Sequence, residues 1–379
     1  MDRVRAEGAR GGMILCSNPL AQYLSHKREI DAAIERVLAG GRYILGSETA
    51  AFEREFADYA GAAAAVGVGS GTEALHVALA ACGIGSGDEV ITVSHTAVAT
   101  VAAIELAGAI PVLVDIEPRY YTLDPDELAA AISPRTRAVL PVHLYGQPAD
   151  LGQISEVARN HGLILIEDCA QAHGATFGGS RVGSVGDIGC FSFYPTKNLG
   201  AIGDGGAVVT QSQEIAGRLR LLREYGWAER YVSADPGWNT RLDEIQSAIL
   251  RVKLRDLDQS NAARVDIARR YDEALADLDL ELPQRRTDAT HVFHLYVVRT
   301  PRRDALQAHL HDKGVAALVH YPKPVHLQPA YSRIRCAGRM AHTELAAREV
   351  LSLPIYPELT DSEQDRVIDA IREFCRGKL

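Results

Sequence analysis

The sequence predicts an α/β protein with a mostly parallel, seven-stranded sheet and a smaller α+β domain towards its C-terminal end. Seven short apolar runs lie between residues 64 and 210, and helix-like segments separate most of them. This alternation stops after about residue 240, where a long helical stretch begins. Because 379 residues are long for a single hydrophobic core, we expect roughly two domains.

The seven predicted strands are near-continuous apolar runs, which are typical of strands buried on both faces. Ligands of such sheets bind beyond the carboxyl ends of the strands, so we expect the functional residues there. In chain order the predicted strands are 64–69, 89–93, 109–115, 137–144, 163–168, 189–193 and 206–210. Helical patterns lie between them at 72–81, 96–106, 124–132 and 151–160.

The last part of the chain has a different pattern. Residues 241–278 form one long helical stretch, which a Pro-containing link separates from a strand-like run at 291–300 and a helix at 302–313. A second break, YPKPVHLQPAYS, precedes the closing helices. We therefore divide the chain into a large α/β domain with an N-terminal arm (1–255) and a small α+β domain (256–379).

Charge and composition exclude several classes of protein. Forty basic and 49 acidic residues give a net charge of −9, which disfavours nucleic acid as a partner. The six cysteines are scattered without a CxxC pair, so they predict neither a metal site nor a disulfide scaffold. The apolar run at 13–16 is too short for a signal-peptide core, and no run approaches the ~18 residues of a membrane helix. We therefore expect a cytoplasmic protein that binds no membrane and no metal.

A possible phosphate-binding turn lies in GVGSGTEAL (67–75), where an apolar run ends in small residues and a helix begins. Small residues at a helix start leave backbone N–H groups open to a phosphate, and the helix dipole favours its negative charge. An ordinary strand-to-helix turn has the same composition. The segment also lacks the Gly-Lys-Ser/Thr ending of nucleotide hydrolases.

A pair of carboxylates ends the predicted strand of LILIEDCAQAHGA (163–175). A carboxylate at such a place is costly unless a cation or a hydrogen-bond donor meets it. Asp168 and Ala170 point to the same side because side chains alternate along a strand. The alternative is that Asp168 only caps the next turn.

One lysine stands among aromatic, polar and glycine residues in FSFYPTKNLGAIGDGGA (191–207). A lone lysine is normally a solvated surface charge. Lys197, however, lies between a strand-like run and a Gly-rich loop, so we expect it to be recessed. Recessed lysines have a lowered pKa and can form Schiff bases with aldehydes.

Together these three segments supply the parts that hold pyridoxal 5′-phosphate (PLP). The phosphate would bind at the helix N-terminus, and Asp168 would keep the pyridine nitrogen protonated so that the ring can accept electrons. Lys197 would form the Schiff base and move the proton.

At this point the chain resembles the DegT/DnrJ/EryC1/StrS family of PLP-dependent sugar aminotransferases, which have the fold type I of PLP enzymes. The resemblance covers about residues 14 to 375. It is carried by SGTEALHVALAACGIGSGDEVI, PVHLYGQ, IEDCAQAHGA, FSFYPTKNLGAIGDGG, NTRLDEIQSAIL and HYPKPVHLQPAY, which occur in this order. Membership implies an enzyme of amino-sugar biosynthesis whose large domain binds PLP.

The resemblance also implies a role for individual residues. Lys197 would be the catalytic, Schiff-base lysine, and Asp168 would pair with the pyridinium nitrogen. Gln171 would contact the ring's hydroxyl side. Asn239 would reach the phosphate of the neighbouring subunit's cofactor, which implies a homodimer with shared active sites. The expected phosphate ligands are Ser70, Gly71, Thr72 and Ser192.

The segment SHTAVAT departs from the family pattern. Members often have an aromatic residue two places after the histidine, where it stacks on the cofactor ring, whereas this chain has Ala97. His95 is therefore a candidate for covering the ring, and a structural role for it is the alternative. The catalytic lysine itself favours transamination, because dehydratase relatives have a histidine at the position of Lys197.

Family members act on nucleotide-linked keto hexoses and take nitrogen from an amino acid, which we expect to be L-glutamate. The segment VHYPKPVHLQPAY (319–331) resembles that of members acting on dTDP-3-keto-6-deoxyhexoses, with His320, Tyr321 and His326 facing the sugar. A Pro-rich link with packed aromatics is the alternative for this segment. A 4-keto sugar, a non-catalytic regulator of the same fold and an enzyme that acts on amino acids alone remain alternatives for the function.

Overall fold

The computed structural model describes residues 12–377. The first eleven residues of the predicted N-terminal arm and the last two of the predicted small domain lie outside the described residues.

An eight-stranded, mostly parallel sheet forms the centre of the molecule, which confirms the predicted α/β class. In spatial order its strands are β1 (Ala64–Val68), β9 (Gly206–Thr210), β8 (Ile188–Ser192), β5 (Ile164–Asp168), β4 (Thr136–Val139), β2 (Glu89–Val93), β3 (Ile110–Val114) and β13 (Arg335–Cys336). Strand β9 runs antiparallel to both of its neighbours, and the other pairs are parallel.

The sheet has one strand more than the seven that the sequence predicts. Strand β13 comes from the C-terminal part of the chain and pairs with β3 at the sheet edge. Buried Glu89 of β2 holds it there, because its carboxylate accepts hydrogen bonds from Arg335 Nη1 (2.8 Å) and Ser133 Oγ (2.6 Å). A two-residue strand is too short to give a period-2 pattern, so the sequence does not reveal it.

Helices cover both faces of the sheet, and further two-stranded ribbons lie outside it. Within the described range the helices are α1 (Pro19–Ser25), α2 (Lys27–Gly40), α3 (Ser47–Ala60), α4 (Gly71–Ala81), α5 (Val98–Leu106), α6 (Pro125–Ala131), α7 (Leu151–His161), α8 (Gln213–Leu222), α9 (Glu244–Leu254), α10 (Leu257–Leu275), α11 (Arg303–Asp312), α12 (Ala341–Glu349) and α13 (Asp361–Arg376). The small ribbons pair β6 (Thr176–Phe177) with β7 (Ser180–Arg181), β10 (Trp227–Glu229) with β11 (Val232–Ser233), and β12 (Tyr296–Arg299) with β14 (Val350–Leu353).

The predicted long helix at 241–278 is two helices, α9 and α10, with a break at Arg255 and Asp256. Both helices are amphipathic, so the apolar pattern continues through the break and conceals it. The predicted strand at 291–300 is shortened to β12, because residues 291–295 form an irregular turn in which Phe293 has a φ of +46°.

The hydrophobic core has separate parts. Two clusters flank the central sheet, and a third packs α10, α11 and α13 against β12 and β14. Ile14 of the N-terminal segment belongs to this third cluster, where its backbone pairs with Val315. The division of the chain at 255/256 stays a prediction.

None of the helices between residues 12 and 377 is both long and apolar enough to cross a membrane. All six cysteines lie in this range, and none of them forms a disulfide.

Candidate active site

A cavity of about 330 Å³ opens at the carboxyl ends of the parallel strands. Strands β5 and β8 end in it with Asp168 and Ser192, and the turns that follow β1 and β2 complete this side. Nine of the twelve predicted site residues line the cavity: Ser70, Gly71, Thr72, Asp168, Gln171, Ser192, Lys197, His320 and Tyr321. The structure therefore brings together residues that are up to 251 positions apart in the sequence, as Ser70 and Tyr321 are.

The turn between β1 and α4 contains three of the residues predicted to bind a phosphate, and all three border the cavity. Ser70 is the N-cap of α4, and its hydroxyl accepts a hydrogen bond from Glu73 N at 3.2 Å. A Cβ added at Gly71 would lie 2.5 Å from Cβ of Ser192, so only glycine allows this close approach of the helix start to the end of β8. The start of α4, whose first backbone N–H groups have no partner within the helix, thus borders the cavity beside Ser70 and Ser192, an arrangement that fits a phosphate.

Asp168 is buried at the end of β5 and held by two donors. Thr100 Oγ1 donates to its Oδ2 at 2.9 Å, and Ala170 N donates to its Oδ1 at 3.1 Å. Burial raises the pKa of this carboxyl above its usual value, while the two hydrogen bonds and the charge of Lys197 act in the opposite direction. The carboxylate still has acceptor capacity towards the cavity, which fits a protonated pyridine nitrogen.

Lys197 follows β8 in a turn closed by its own N–H, which donates to Tyr194 O at 2.8 Å. Its ammonium group has no hydrogen-bond acceptor among residues 12–377. Burial lowers the pKa of Lys197 to about 8, and the charge of Asp168 opposes this shift only in part. A substantial fraction of the amine is therefore neutral near pH 8, as a nucleophile for an aldehyde must be.

We expect Lys197 to react with a small amine-selective acylating reagent at a pH where ordinary lysines are still protonated. Because only the neutral amine reacts, labelling of the cofactor-free protein should rise with pH and reach half its limit near pH 8. A free lysine standard should reach half its limit at roughly pH 10.4. Peptide mass spectrometry measures the labelled fraction. Half-maximal labelling near pH 10 would show that the lysine is not recessed.

The turn after Lys197 is fixed by its neighbour Asn198. Asn198 Nδ2 donates to Asn261 Oδ1 (2.8 Å) and to Val292 O (3.0 Å). Asn261 in turn donates to His173 O (2.8 Å). These bonds tie the lysine turn to α10, to the turn at 291–295 and to the loop after β5, so the amine is held at a defined place.

Gln171 lies on the other side of the cavity with its amide orientation fixed. Its Oε1 accepts from Tyr145 N at 2.8 Å, and its Nε2 donates to Tyr321 Oη at 3.0 Å. Since the carbonyl oxygen is already bonded to the backbone, the NH₂ group is the part that faces a ligand. That orientation fits the expected contact with the hydroxyl side of the cofactor ring.

Three of the predicted residues do not line the cavity. His95 is buried behind the wall, where its Nε2 lies 2.7 Å from Tyr145 Oη, and burial lowers its pKa to about 4. The next two residues, Thr96 and Ala97, border the cavity instead. His95 itself does not border the cavity, which favours the structural alternative, and its contact with the cofactor ring stays a prediction.

The other two are His326 and Asn239. The His326 ring contacts Ser94 Oγ (2.7 Å) and Glu344 Oε1 (3.4 Å) and does not border the cavity, and its contact with the sugar stays a prediction. Asn239 is exposed beside Thr240, whose hydroxyl accepts from Gly69 N at 3.0 Å. Its expected partner is a second copy of the chain, and its role stays a prediction.

Further residues that border the cavity were not predicted. Thr100 lies in the first turn of α5, and its Oγ1 is 2.9 Å from that of Thr96, which precedes the helix. The four-residue spacing of the two threonines is the signal that could have identified it. His294 carries no motif signal. The remaining residues are Leu75, Thr96, Ala97, Ala99, Val142, Ala170, Tyr194, Thr196, Asp204 and Leu295.

His143, Glu167 and Cys169 form a compact buried group beside the site whose atoms are close enough to hold a metal ion. Glu167, however, already accepts backbone hydrogen bonds from Gly183, Val185 and Gly186 and contacts His143 Nε2 at 2.9 Å. His143 Nδ1 accepts from Ala149 N. With its acceptors satisfied by N–H donors, the group is built as a structural network and not as a metal site.

Comparisons with known proteins place this fold and site among the pyridoxal-phosphate-dependent aminotransferases. The model of the DegT/DnrJ/EryC1/StrS aminotransferase family matches residues 25–372, and the chain belongs to this family. The family, the fold class and the cofactor that the sequence predicts are therefore confirmed.

Two curated relatives and one solved structure are similar over nearly the whole chain. The dTDP-3-amino-3,4,6-trideoxy-alpha-D-glucose transaminase of Streptomyces venezuelae is 51% identical over 357 residues, which are 94% of each chain. The erythromycin biosynthesis sensory transduction protein EryC1 of Saccharopolyspora erythraea is 51% identical and covers 93% of this chain and 97% of that protein. The crystal structure of S. venezuelae DesV in complex with a ketimine intermediate superposes with a TM-score of 0.94 at 49% identity, covering 96% of this chain and 99% of that one.

Proposed function

We propose that this chain transfers the amino group of L-glutamate to the keto carbon of a nucleotide-linked deoxyhexose, with a dTDP-3-keto sugar as the favoured acceptor. One observation carries the proposal: the recessed Lys197, the strand-end Asp168 and the open N-terminus of α4 surround a cavity that His320 and Tyr321 also border. The names of relatives such as dTDP-3-amino-3,6-dideoxy-alpha-D-galactopyranose transaminase, 45% identical, support the 3-keto position.

In this proposal, different residues of the cavity bind different parts of the cofactor. Backbone N–H groups at Gly71 and Thr72, with the Ser70 and Ser192 hydroxyls, would bind the phosphate. Asp168 would accept a hydrogen bond from the pyridine N–H, and Gln171 Nε2 would donate to the ring hydroxyl side. PLP, when bound, supplies an aldehyde that accepts nitrogen and a ring that takes up electrons.

Lys197 Nζ has two tasks in this scheme. It would hold the cofactor covalently between turnovers, and it would move the proton between the substrate carbon and the cofactor's C4′. A pKa of about 8 suits both tasks, because the amine can be neutral as a base and protonated as an acid near physiological pH. The intact set of Lys197, Asp168 and the phosphate cradle also favours an enzyme over a non-catalytic regulator.

A half-reaction screen tests the proposed function. The purified protein is loaded with the amine form of the cofactor, and nucleotide keto sugars are added one at a time. We expect a dTDP-3-keto-6-deoxyhexose to restore the absorbance of the aldehyde form fastest, and its 4-keto counterpart to react more slowly. The reverse order would favour the 4-keto alternative. If only 2-keto acids restored the absorbance, the enzyme would act on amino acids alone.

The homodimer with shared active sites is part of this proposal. The exposed Asn239 supports it, since an exposed residue beside the phosphate turn is available to a second copy of the chain. The cytoplasmic location expected from the sequence stays a prediction.

Mixing two inactive variants is expected to restore activity if the sites are shared. In a mixed dimer, one site combines the intact Lys197 of the Asn239→Ala protomer with the intact Asn239 of the Lys197→Ala protomer. The second site contains both substitutions. Random exchange of equal amounts should recover about one quarter of the wild-type activity at limiting cofactor. Turnover before and after subunit exchange measures it. No recovery in verified mixed dimers would show that Asn239 serves its own subunit.

A further inference from the structure

His294 is a buried imidazole of the cavity to which neither the sequence motifs nor the proposed function assigns a task. Its side chain borders the cavity beside Leu295, His320 and Tyr321, and the residue is only 7% exposed. Its Nδ1 is buried and has no hydrogen-bond partner among the described residues. A buried polar atom without a partner is costly, so such an imidazole needs an explanation.

The backbone around His294 is fixed from several directions. Gly146 has a φ of +106°, and a Cβ added there would lie 2.8 Å from His294 N. On either side of the histidine, Arg264 Nη1 donates to Phe293 O (3.3 Å) and Leu295 N donates to Tyr145 O (3.1 Å). The backbone that carries the imidazole is therefore fixed by bonds to neighbouring segments. Because Nδ1 is fully buried, Nε2 is the ring nitrogen that is open to a ligand in the cavity. This is how a preorganised binding group is built.

The ring is also neutral. Burial lowers the pKa of His294 well below its usual value, and the charges of Lys197 and Arg264 lower it further. A neutral imidazole has one N–H donor and one acceptor nitrogen, so it can bond a hydroxyl group in either direction and brings no positive charge to an anion.

The side chains that border the cavity next to His294 carry no charge of their own at neutral pH. Burial lowers the pKa of His320 to about 4 and raises that of Tyr321 to about 12, and Leu295 is apolar. Among the described residues that border the cavity, Lys197 is the one with a cationic side chain, and in the proposed function it binds the cofactor. A carboxylate on a sugar bound against this wall would thus lose its water without gaining a cation from this chain, which is costly.

We propose that His294 is a specificity-determining residue that hydrogen-bonds a hydroxyl of an uncharged sugar ring, so that the site takes a neutral hexose and rejects a hexuronic acid. The inference rests on the proposed function and deepens it. It follows from a fixed, unpartnered imidazole in a cavity wall without charge.

Variants of His294 test this inference in the two half-reactions separately. His294→Leu removes the hydrogen bond, and His294→Asn keeps a neutral donor and acceptor. We expect His294→Leu to raise the KM for the keto sugar by roughly 10- to 100-fold, since the lost partner is a buried hydroxyl. The L-glutamate half-reaction should change by less than about 2-fold. His294→Asn should restore part of the loss, and exposed His311→Leu is the control for replacing a histidine.

Binding measurements provide a readout that does not depend on turnover. The amino-sugar product should bind His294→Leu more weakly by the same factor as the rise in KM, whereas the free nucleoside diphosphate, which lacks the sugar, should bind equally well. In the wild type, a nucleotide-linked keto hexuronic acid should react at least about 10-fold less efficiently than its neutral counterpart.

Three results would overturn the inference: an unchanged KM for the sugar in His294→Leu, an equal loss in both half-reactions, or a wild type that uses the hexuronic acid as readily as the neutral sugar. The comparison of the hexuronic acid with the neutral sugar uses only the wild type, so it can overturn the inference even if His294→Leu does not fold. Failure of the proposed function looks different, because the wild type would then react with no keto sugar at all.

Discussion

Replacing Lys197 with alanine is expected to lower the rate of transamination by roughly 10⁴-fold or more, because its proposed role combines the covalent attachment and the proton transfer in one residue. The cofactor should still bind, through the phosphate cradle and Asp168, but borohydride should no longer fix it to the protein. Steady-state turnover and intact-mass spectrometry after borohydride reduction measure the two effects.

The chain offers a matched control in Lys253. It is also buried, and burial lowers its pKa to about 8, but its ammonium donates to Gln22 Oε1 (2.8 Å) and Gly200 O (2.7 Å). Lys253→Ala should therefore lose stability while borohydride still fixes the cofactor. A Lys197→Ala protein that transaminates within about 100-fold of the wild type would contradict the assigned role.

Replacing Asp168 with asparagine is expected to lower the rate by roughly 10²- to 10³-fold, because the variant loses the charge that we propose keeps the ring nitrogen protonated. Asparagine is close in size, so the contact with Thr100 can persist and the fold should be retained. Cofactor titration followed by absorbance should also show weaker binding and a spectrum shifted towards that of an unprotonated pyridine.

The preceding residue, Glu167, provides the comparison. It is equally buried, but it points away from the cavity and accepts three backbone N–H groups. Glu167→Gln should lower the melting temperature and leave the cofactor spectrum of the folded protein unchanged. If both variants altered the cofactor spectrum alike, the change in Asp168→Asn would come from a general disturbance of the structure and not from a lost contact with the cofactor ring.

Much of the fold and of the cofactor side of the cavity could be predicted from the sequence. Strands that are buried on both faces are apolar along their whole length, so β1 to β5, β8 and β9 are visible as runs. The phosphate turn, Asp168 and Lys197 lie at strand ends, where polar residues interrupt apolar ones. Polar residues directly after an apolar run can be recognised from a single sequence.

The rest depends on contacts between distant segments. His95 lies directly before Thr96, and only the path of the chain after β2 decides which of them reaches the cavity. His294 lies in an irregular turn whose geometry is set by Tyr145, Gly146 and Asn198, all more than 90 positions away. Strand β13 depends on Glu89 in the same manner. Pairings of this kind leave no periodicity in the sequence.

The edge strand β13 has a consequence for changing the acceptor by design. The segment that carries His320 and Tyr321 leaves the C-terminal core beside Ser352, to which Leu318 is paired, and ends on the central sheet through Arg335 and Glu89. The segment that brings His320 and Tyr321 to the cavity is therefore anchored at both of its ends. Exchanging this segment for that of a relative with another substrate would therefore need to include both anchored ends. If only the residues that border the cavity were exchanged, they would be joined to anchoring contacts that belong to a different segment.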